Sequence, residues 1–171
     1  MPPRIARLCT CVGLLLVIHA APAATSAQAR SSLQRRPTFW GQVALGAAGA
    51  SGTADSGFYA SAISAAVQVR HFVFMGRVAS IGTPDGHRMD EAGLLAGIAS
   101  PPAVFHGAIA AGLGVAKDPR DSSVIALPIE AQLSWRPIPW AGLGARVFAN
   151  VNSLTNFGGV TLVLQLGRLR E

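Results

Sequence analysis

Of the 171 residues half are hydrophobic and only 13% are charged, with 19 glycines and a formal net charge of +6. So mild and scattered a basic excess excludes a nucleic-acid surface. So uncharged a chain is unusual for a soluble exported domain, and lipid contact would account for it.

The chain opens with Arg4 and Arg7, an apolar run from Leu8 to Ile18, small residues, and then Ala27-Gln28-Ala29. That is the order of a charged n-region, an h-region and an A-x-A cleavage site. The run falls short of the roughly 20 apolar residues that a spanning helix needs. Residues 1–29 are therefore assigned to a signal peptide, cut after Ala29, with Ala23 as the other candidate. Cys9 and Cys11 stand at the start of the apolar run, whereas a lipoprotein signal would place its cysteine after it. Both leave with the signal, so the remaining chain of about 142 residues is one domain with no disulfide, thiolate chemistry or cysteine metal site.

Residues 30–36 are polar and basic and read as a flexible lead. From Thr38 to Ala48, Phe39, Val43, Leu45 and Ala47 alternate with Thr38, Gln42 and Ala44, the period of two that marks a strand with unlike faces. A loop at 49–56 leads to a second alternating run, Phe58 to Val69. Arg70-His71 is a possible tight turn before a third strand, Phe72 to Ile81, whose facing the pattern leaves open. Residues 82–90 read as a loop on their Gly, Pro and Asp content. Glu91 to Ala99 and Phe105 to Ala116 follow as strands four and five, separated by residues 100–104, and 117–123 is the next loop.

The clearest pattern closes the chain. Ile125, Leu127, Ile129, Ala131, Leu133 and Trp135 alternate with Glu130, Gln132 and Ser134. Leu143, Ala145, Val147, Ala149 and Val151 alternate with Gly144, Arg146, Asn150 and Asn152, and Val160, Leu162, Leu164 and Leu166 with Thr161, Gln165 and Gly167. R-P-I-P at 136–139 and a short polar loop at 152–156 join these runs into a meander. Pro128 interrupts the sixth strand near its loop end and calls for a bulge or a frayed rim. The polar faces are Gly, Ser, Gln and Asn with single charges, and the whole chain has one lysine. A water-facing surface carries more charge; a narrow lumen does not.

Eight alternating segments joined by longer acid-bearing loops on one side and short turns on the other resemble the small eight-stranded outer-membrane β-barrel family, of OmpA and OmpX type. The resemblance covers about residues 37–170 and rests on pattern rather than on a signature motif. It implies an all-β fold, an eight-stranded antiparallel up-and-down transmembrane β-barrel. It also implies an outer-membrane location, contact with outer-membrane lipid or lipopolysaccharide, insertion by the outer-membrane assembly machinery, and a monomer without a cofactor. Members of the family commonly end their last strand on an aromatic residue, where this chain ends Arg168-Leu169-Arg170-Glu171.

Aromatic residues gather at the strand ends, as the girdles of a membrane barrel require. Phe39, Trp40, Trp135 and Trp140 fall at the turn end, and Phe58, Tyr59 and Phe157 at the loop end. Asp55, Asp85, Asp90, Glu91, Asp118 and Asp121 lie at or beside the loops, positions suited to divalent cations or lipopolysaccharide. Arg35, Arg36, Arg70, Arg136, Arg168 and Arg170 gather at the turn end. Arg77, Glu130 and Arg146 lie inside strands on faces assigned to the lumen. A turn centred near residue 138 sets Glu130 directly opposite Arg146. Buried charges must be paired, so an ion pair between these two is expected, with Arg77, Gln42, Gln68 and Gln132 as network partners.

No P-loop, zinc spacing or dinucleotide fingerprint is present, so no cofactor or metal is expected. Asn152-Ser153, with Asn156 and Gly158, faintly resembles the end of the lipid A deacylases. Their chemistry needs a histidine beside the serine as base, and the position two before Ser153 is Val151. No enzyme is expected. The structural or loop-recognition role of a barrel stands against a narrow pore or small-molecule binder, and against a soluble lipocalin-like carrier. A helical reading of Ala92 to Ala116 is divided by Pro101-Pro102.

Overall fold

A computed structural model describes residues 36–51, 58–82, 88–117 and 122–170. Residues 1–29, assigned to a signal peptide on sequence grounds, most of the basic lead, His87, and the carboxylates Asp55, Asp85, Asp118 and Asp121 lie outside the described residues. Eight strands account for almost everything else. They are β1 Thr38–Ala50, β2 Phe58–Val69, β3 Phe72–Gly82, β4 Arg88–Ala99, β5 Phe105–Lys117, β6 Ser123–Ile138, β7 Ala141–Asn152 and β8 Phe157–Arg168. Each pairs antiparallel with its neighbours, and β1 pairs with β8 to close the barrel.

The stagger of that closure can be read from paired residues. A line leaving β6 at Ser123 passes through Lys117, Asp90, Ser80 and Ser61. It continues through Leu45, Leu162 and Ala145 and returns to β6 at Leu133. With about ten residues of stagger over eight strands, a 3.3 Å rise and a spacing near 4.8 Å, the strands tilt by roughly 40° and each residue climbs about 2.5 Å along the axis. On that geometry the outward-facing Phe39, Phe72, Phe105 and Trp135 share one level to within about 4 Å, and Tyr59 stands roughly 23 Å above them. An apolar band about 25 Å tall between aromatic levels is the dimension of a membrane-spanning barrel.

The two faces of the wall are opposite in polarity to those of a soluble protein. Leu94, Ile125 and Leu162 are 75–76% exposed on the outside, whereas Arg77, Glu91, Glu130 and Arg146 are at most 2% exposed inside. A lipocalin-like carrier would have to leave the apolar row in water; lipid removes that cost. The soluble alternative therefore fails, and so does the helical one. Ala92 to Ala116 is β4 and β5, joined through the bend around Pro101-Pro102.

Local departures from the sequence expectations have physical reasons. Strand β4 begins at Arg88, three residues earlier than expected, so Asp90 is a strand residue rather than a loop residue. Strand β6 runs through R-P-I to Ile138, leaving Pro139-Trp140 as the turn, with a register shift between Trp135 and Ile138. Pro128 sits within the strand, not on a frayed rim. Pairing of β5 with β6 lapses between Ala111–Ile129 and Gly114–Ala126, where proline has no N–H to give. Its pairing with Asn150 on β7 continues. The Arg70-His71 turn holds Arg70 at φ 58°, a place that hairpins usually give to Gly or Asn, so no turn dipeptide advertised it.

Gly167 closes the fold under the turn. At φ 144° it adopts a backbone that side chains rarely take, and a Cβ there would meet the Phe39 carbonyl oxygen at 2.5 Å. Gly167 N–H donates to Trp140 O and Leu169 N–H to Pro139 O. The last residues are thereby tied to the β6–β7 turn, and Leu169 is fully buried beside Trp40.

Candidate functional site in the barrel interior

Alternation along each strand decides what the interior contains. Odd positions of β3 and β4 and even positions of β6 and β7 point inward, which brings Arg77, Glu91, Glu130, Arg146, Phe148 and Asn150 into one space. Arg77 Nη1 donates to Glu130 Oε2 at 2.9 Å and its Nε to Glu91 Oε1 at 3.1 Å. Its Nη2 reaches the same Glu91 oxygen. Asn150 Nδ2 donates to Glu91 Oε2 at 2.6 Å, and Arg146 Nε to Thr161 Oγ1 at 3.3 Å. The Phe148 ring lies 5.8 Å from both guanidinium carbons. Two guanidinium groups and two carboxylates thus form a neutral buried cluster, the condition under which charge is tolerated out of water.

The expected pair is present in altered form. Glu130 faces Phe148 in register, and Gln132 faces Arg146. The turn lies later than R-P-I-P suggested and a one-residue register shift stands beside it, so the net change sets Glu130 opposite a residue two further along β7. Because a step of two preserves facing, both side chains still point inward. Arg146 Nη1 stands 3.6 Å from Glu130 Oε2, ion-pair range but too long for a hydrogen bond. Arg77 is the nearer partner of Glu130. Glu91, placed beside a loop on sequence grounds, is a central member. It shares odd parity with Leu95 on the same strand, which was the signal available.

The three glutamines do not join this cluster. Gln42 and Gln132 are buried with both amide atoms lacking a protein partner. Gln68 belongs to a second group about 15 Å nearer the turns, by the six residues that separate Glu130 from Arg136 on β6. There His106 Nε2 meets Gln68 Oε1 at 2.9 Å, and Gln68 Nε2 donates to the Arg70 and Ser100 carbonyls at 2.8 Å. The Trp40 ring stands edge-on to His106 at 5.7 Å and under the Arg136 guanidinium at 4.7 Å. Arg136 Nε donates to Gln165 Oε1 at 2.9 Å and Nη1 to Leu169 O at 3.2 Å. Arg136 lies at the turn end, as its place in the sequence implied, but its side chain is fully buried within the lumen.

The aromatic girdle is smaller than expected. Phe39, Tyr59, Trp135 and Trp140 are outward and about half or more exposed. Trp40, Phe58 and Phe157 are buried inside: Trp40 in the turn-end group, Phe58 and Phe157 with Ile81 and Phe148 at the loop end. Height along the strand put them at a rim, but facing is set by parity. Trp40 shares it with Gln42, and Phe58 with Ser64 and Gln68.

At the β7–β8 loop, Asn152 Oδ1 accepts from the Leu154 and Thr155 N–H groups, and its Nδ2 donates to Asn150 Oδ1 and Thr155 O. Asn156 Oδ1 accepts from Asn152 N–H. These asparagines are engaged in shaping the loop. Among the described residues no group of His, Cys, Asp and Glu could hold a metal.

No protein-family model and no curated protein sequence matches the chain. Solved structures do. The crystal structure of Neisserial surface protein A aligns over 76% of this chain and 96% of its own, with TM-score 0.59 and 14% identity. A de novo designed transmembrane β-barrel aligns over 78% and 98%, with TM-score 0.52 and 12% identity. Ail, the attachment invasion locus protein of Yersinia pestis, aligns over 77% and 96%, with TM-score 0.50 and 14% identity. At such identities the likeness is one of fold. With a closed eight-stranded wall, an apolar exterior and a charged interior, the chain has the fold of the small OmpA/OmpX-type transmembrane β-barrels.

Proposed function

We propose that this is an exported, monomeric outer-membrane protein whose lumen is closed by its own side chains and whose work is structural or is recognition through its loops. The observation that carries the reading is the buried Arg77–Glu91–Glu130–Arg146 cluster, which crosses the interior between β3, β4, β6 and β7. An eight-stranded barrel is just wide enough for side chains to fill. The signal-like N-terminus supports export, and the acid-bearing loops suit lipopolysaccharide through bridging cations. Insertion would fall to the outer-membrane assembly machinery. No catalytic role, cofactor or nucleic-acid partner is proposed.

A narrow pore is the second reading. It is favoured by the mid-lumen Gln42, Ser64 and Gln132, whose buried polar side chains have no protein partner and would accept water. Planar-bilayer recording separates the two. A closed lumen gives a baseline without steps in symmetric 1 M-scale salt, and adding an Arg77→Ala change creates them. Resolvable steps from the unaltered protein would instead establish the pore.

A further inference from the structure

Arg136 differs from the other buried arginines. Arg77 and Arg146 share two carboxylates, but Arg136 contacts only neutral groups: the Gln165 amide oxygen, the Leu169 carbonyl and the Trp40 face. Among the described residues, three buried guanidinium groups against two buried carboxylates leave one positive charge over, even with His106 neutral. A lone buried charge is costly and calls for a counter-charge.

Around it the unused polar atoms are mostly donors. Arg136 Nη2, Trp40 Nε1 and Gln165 Nε2 are all buried without a protein partner. Gln165 lies beside Arg136 through its own hydrogen bond, and Trp40 lies beneath the guanidinium. Gln42, directly opposite Gln165 in the β1–β8 register, adds a further unpartnered amide. Unpartnered nitrogen donors on β1 and β8 thus stand next to a guanidinium on β6 that has no carboxylate partner, the composition of an anion site.

We propose that the turn-side half of the lumen binds one small monovalent inorganic anion, of chloride size, held by Arg136 with Trp40, Gln165 and Gln42 as neutral donors. One negative charge balances the interior. Small size follows from a lumen already filled by side chains, with Trp40, Arg136, His106, Gln68 and Gln165 all at most 2% exposed.

Bromide serves as the probe because it quenches indole fluorescence on contact. In a protein carrying Trp135→Phe and Trp140→Phe, Trp40 is the sole tryptophan, and the folded barrel in detergent micelles is titrated with sodium bromide at constant ionic strength. Saturable quenching is expected, reversed by chloride and weakened at least tenfold by Arg136→Gln. Quenching that is absent, that rises linearly without a plateau, or that saturates equally in Arg136→Gln overturns the proposal. Should Arg136→Gln not fold, anomalous scattering from bromide-soaked crystals of the unaltered protein decides. A peak in contact with Arg136 Nη2 supports the site, and a lumen without one overturns it.

Discussion

Replacing Arg77 by methionine is expected to destabilise the barrel by about 3–5 kcal/mol, the usual cost of removing one partner from a buried ion pair. Arg77 is the member that touches both carboxylates, with Glu130 at 2.9 Å and Glu91 at 3.1 Å. Its loss leaves Glu91 with Asn150 alone and Glu130 with an Arg146 at 3.6 Å. The net charge of the cluster falls to −1, which the interior solvates poorly. Urea unfolding of the barrel in lipid vesicles, followed by its heat-sensitive gel mobility, measures the change. Arg77→Met combined with Glu91→Gln should recover much of the loss, because Glu130 and Arg146 then remain as a neutral pair. A loss under about 1 kcal/mol for Arg77→Met, the range of solvent-exposed pairs, would mean that the cluster is hydrated and the lumen open.

Leu162→Arg tests the outer wall. Leu162 is 75% exposed and, on the strand tilt, lies near the middle of the apolar band. Arginine at a bilayer midplane on a lipid-facing strand costs about 2–4 kcal/mol, falling to about 0–1 near the interface. The same change at Val151, close to the Tyr59 level, should therefore cost much less. That depth dependence is the signature of lipid. In water both substitutions would be nearly neutral, since an exposed leucine gives up little on becoming arginine.

Neighbouring residues show what the sequence disclosed and what it did not. Period-two alternation fixed the number of strands and, outside β3, their faces, because facing depends only on parity: Ile125 to Trp135 outward, Glu130 and Arg146 inward. The β2 limits, Phe58 and Val69, were also legible, bounded by a glycine-rich loop and a change of pattern. Register was not, since it depends on where a turn closes. Pro139-Trp140 and the shift between Trp135 and Ile138 are backbone details to which composition is indifferent. Contacts across the lumen were hidden for a related reason. Arg77 and Glu91 are separated by a loop whose length says nothing of stagger, and Glu130 reaches them only once the barrel closes. The aromatic misplacements arose from using height without parity. Applied to Trp40, Phe58 and Phe157, the rule that found Glu130 would have turned them inward.

An outer wall that lies in lipid is the property on which the other expectations depend. The most direct measurement is fractionation of cells producing the full chain, followed by electrophoresis of heated and unheated samples. Recovery in the outer-membrane fraction, resistance to carbonate extraction, release only by detergent, and a mobility that changes on boiling are the results expected. Recovery of a folded protein in the soluble fraction without detergent would contradict the account.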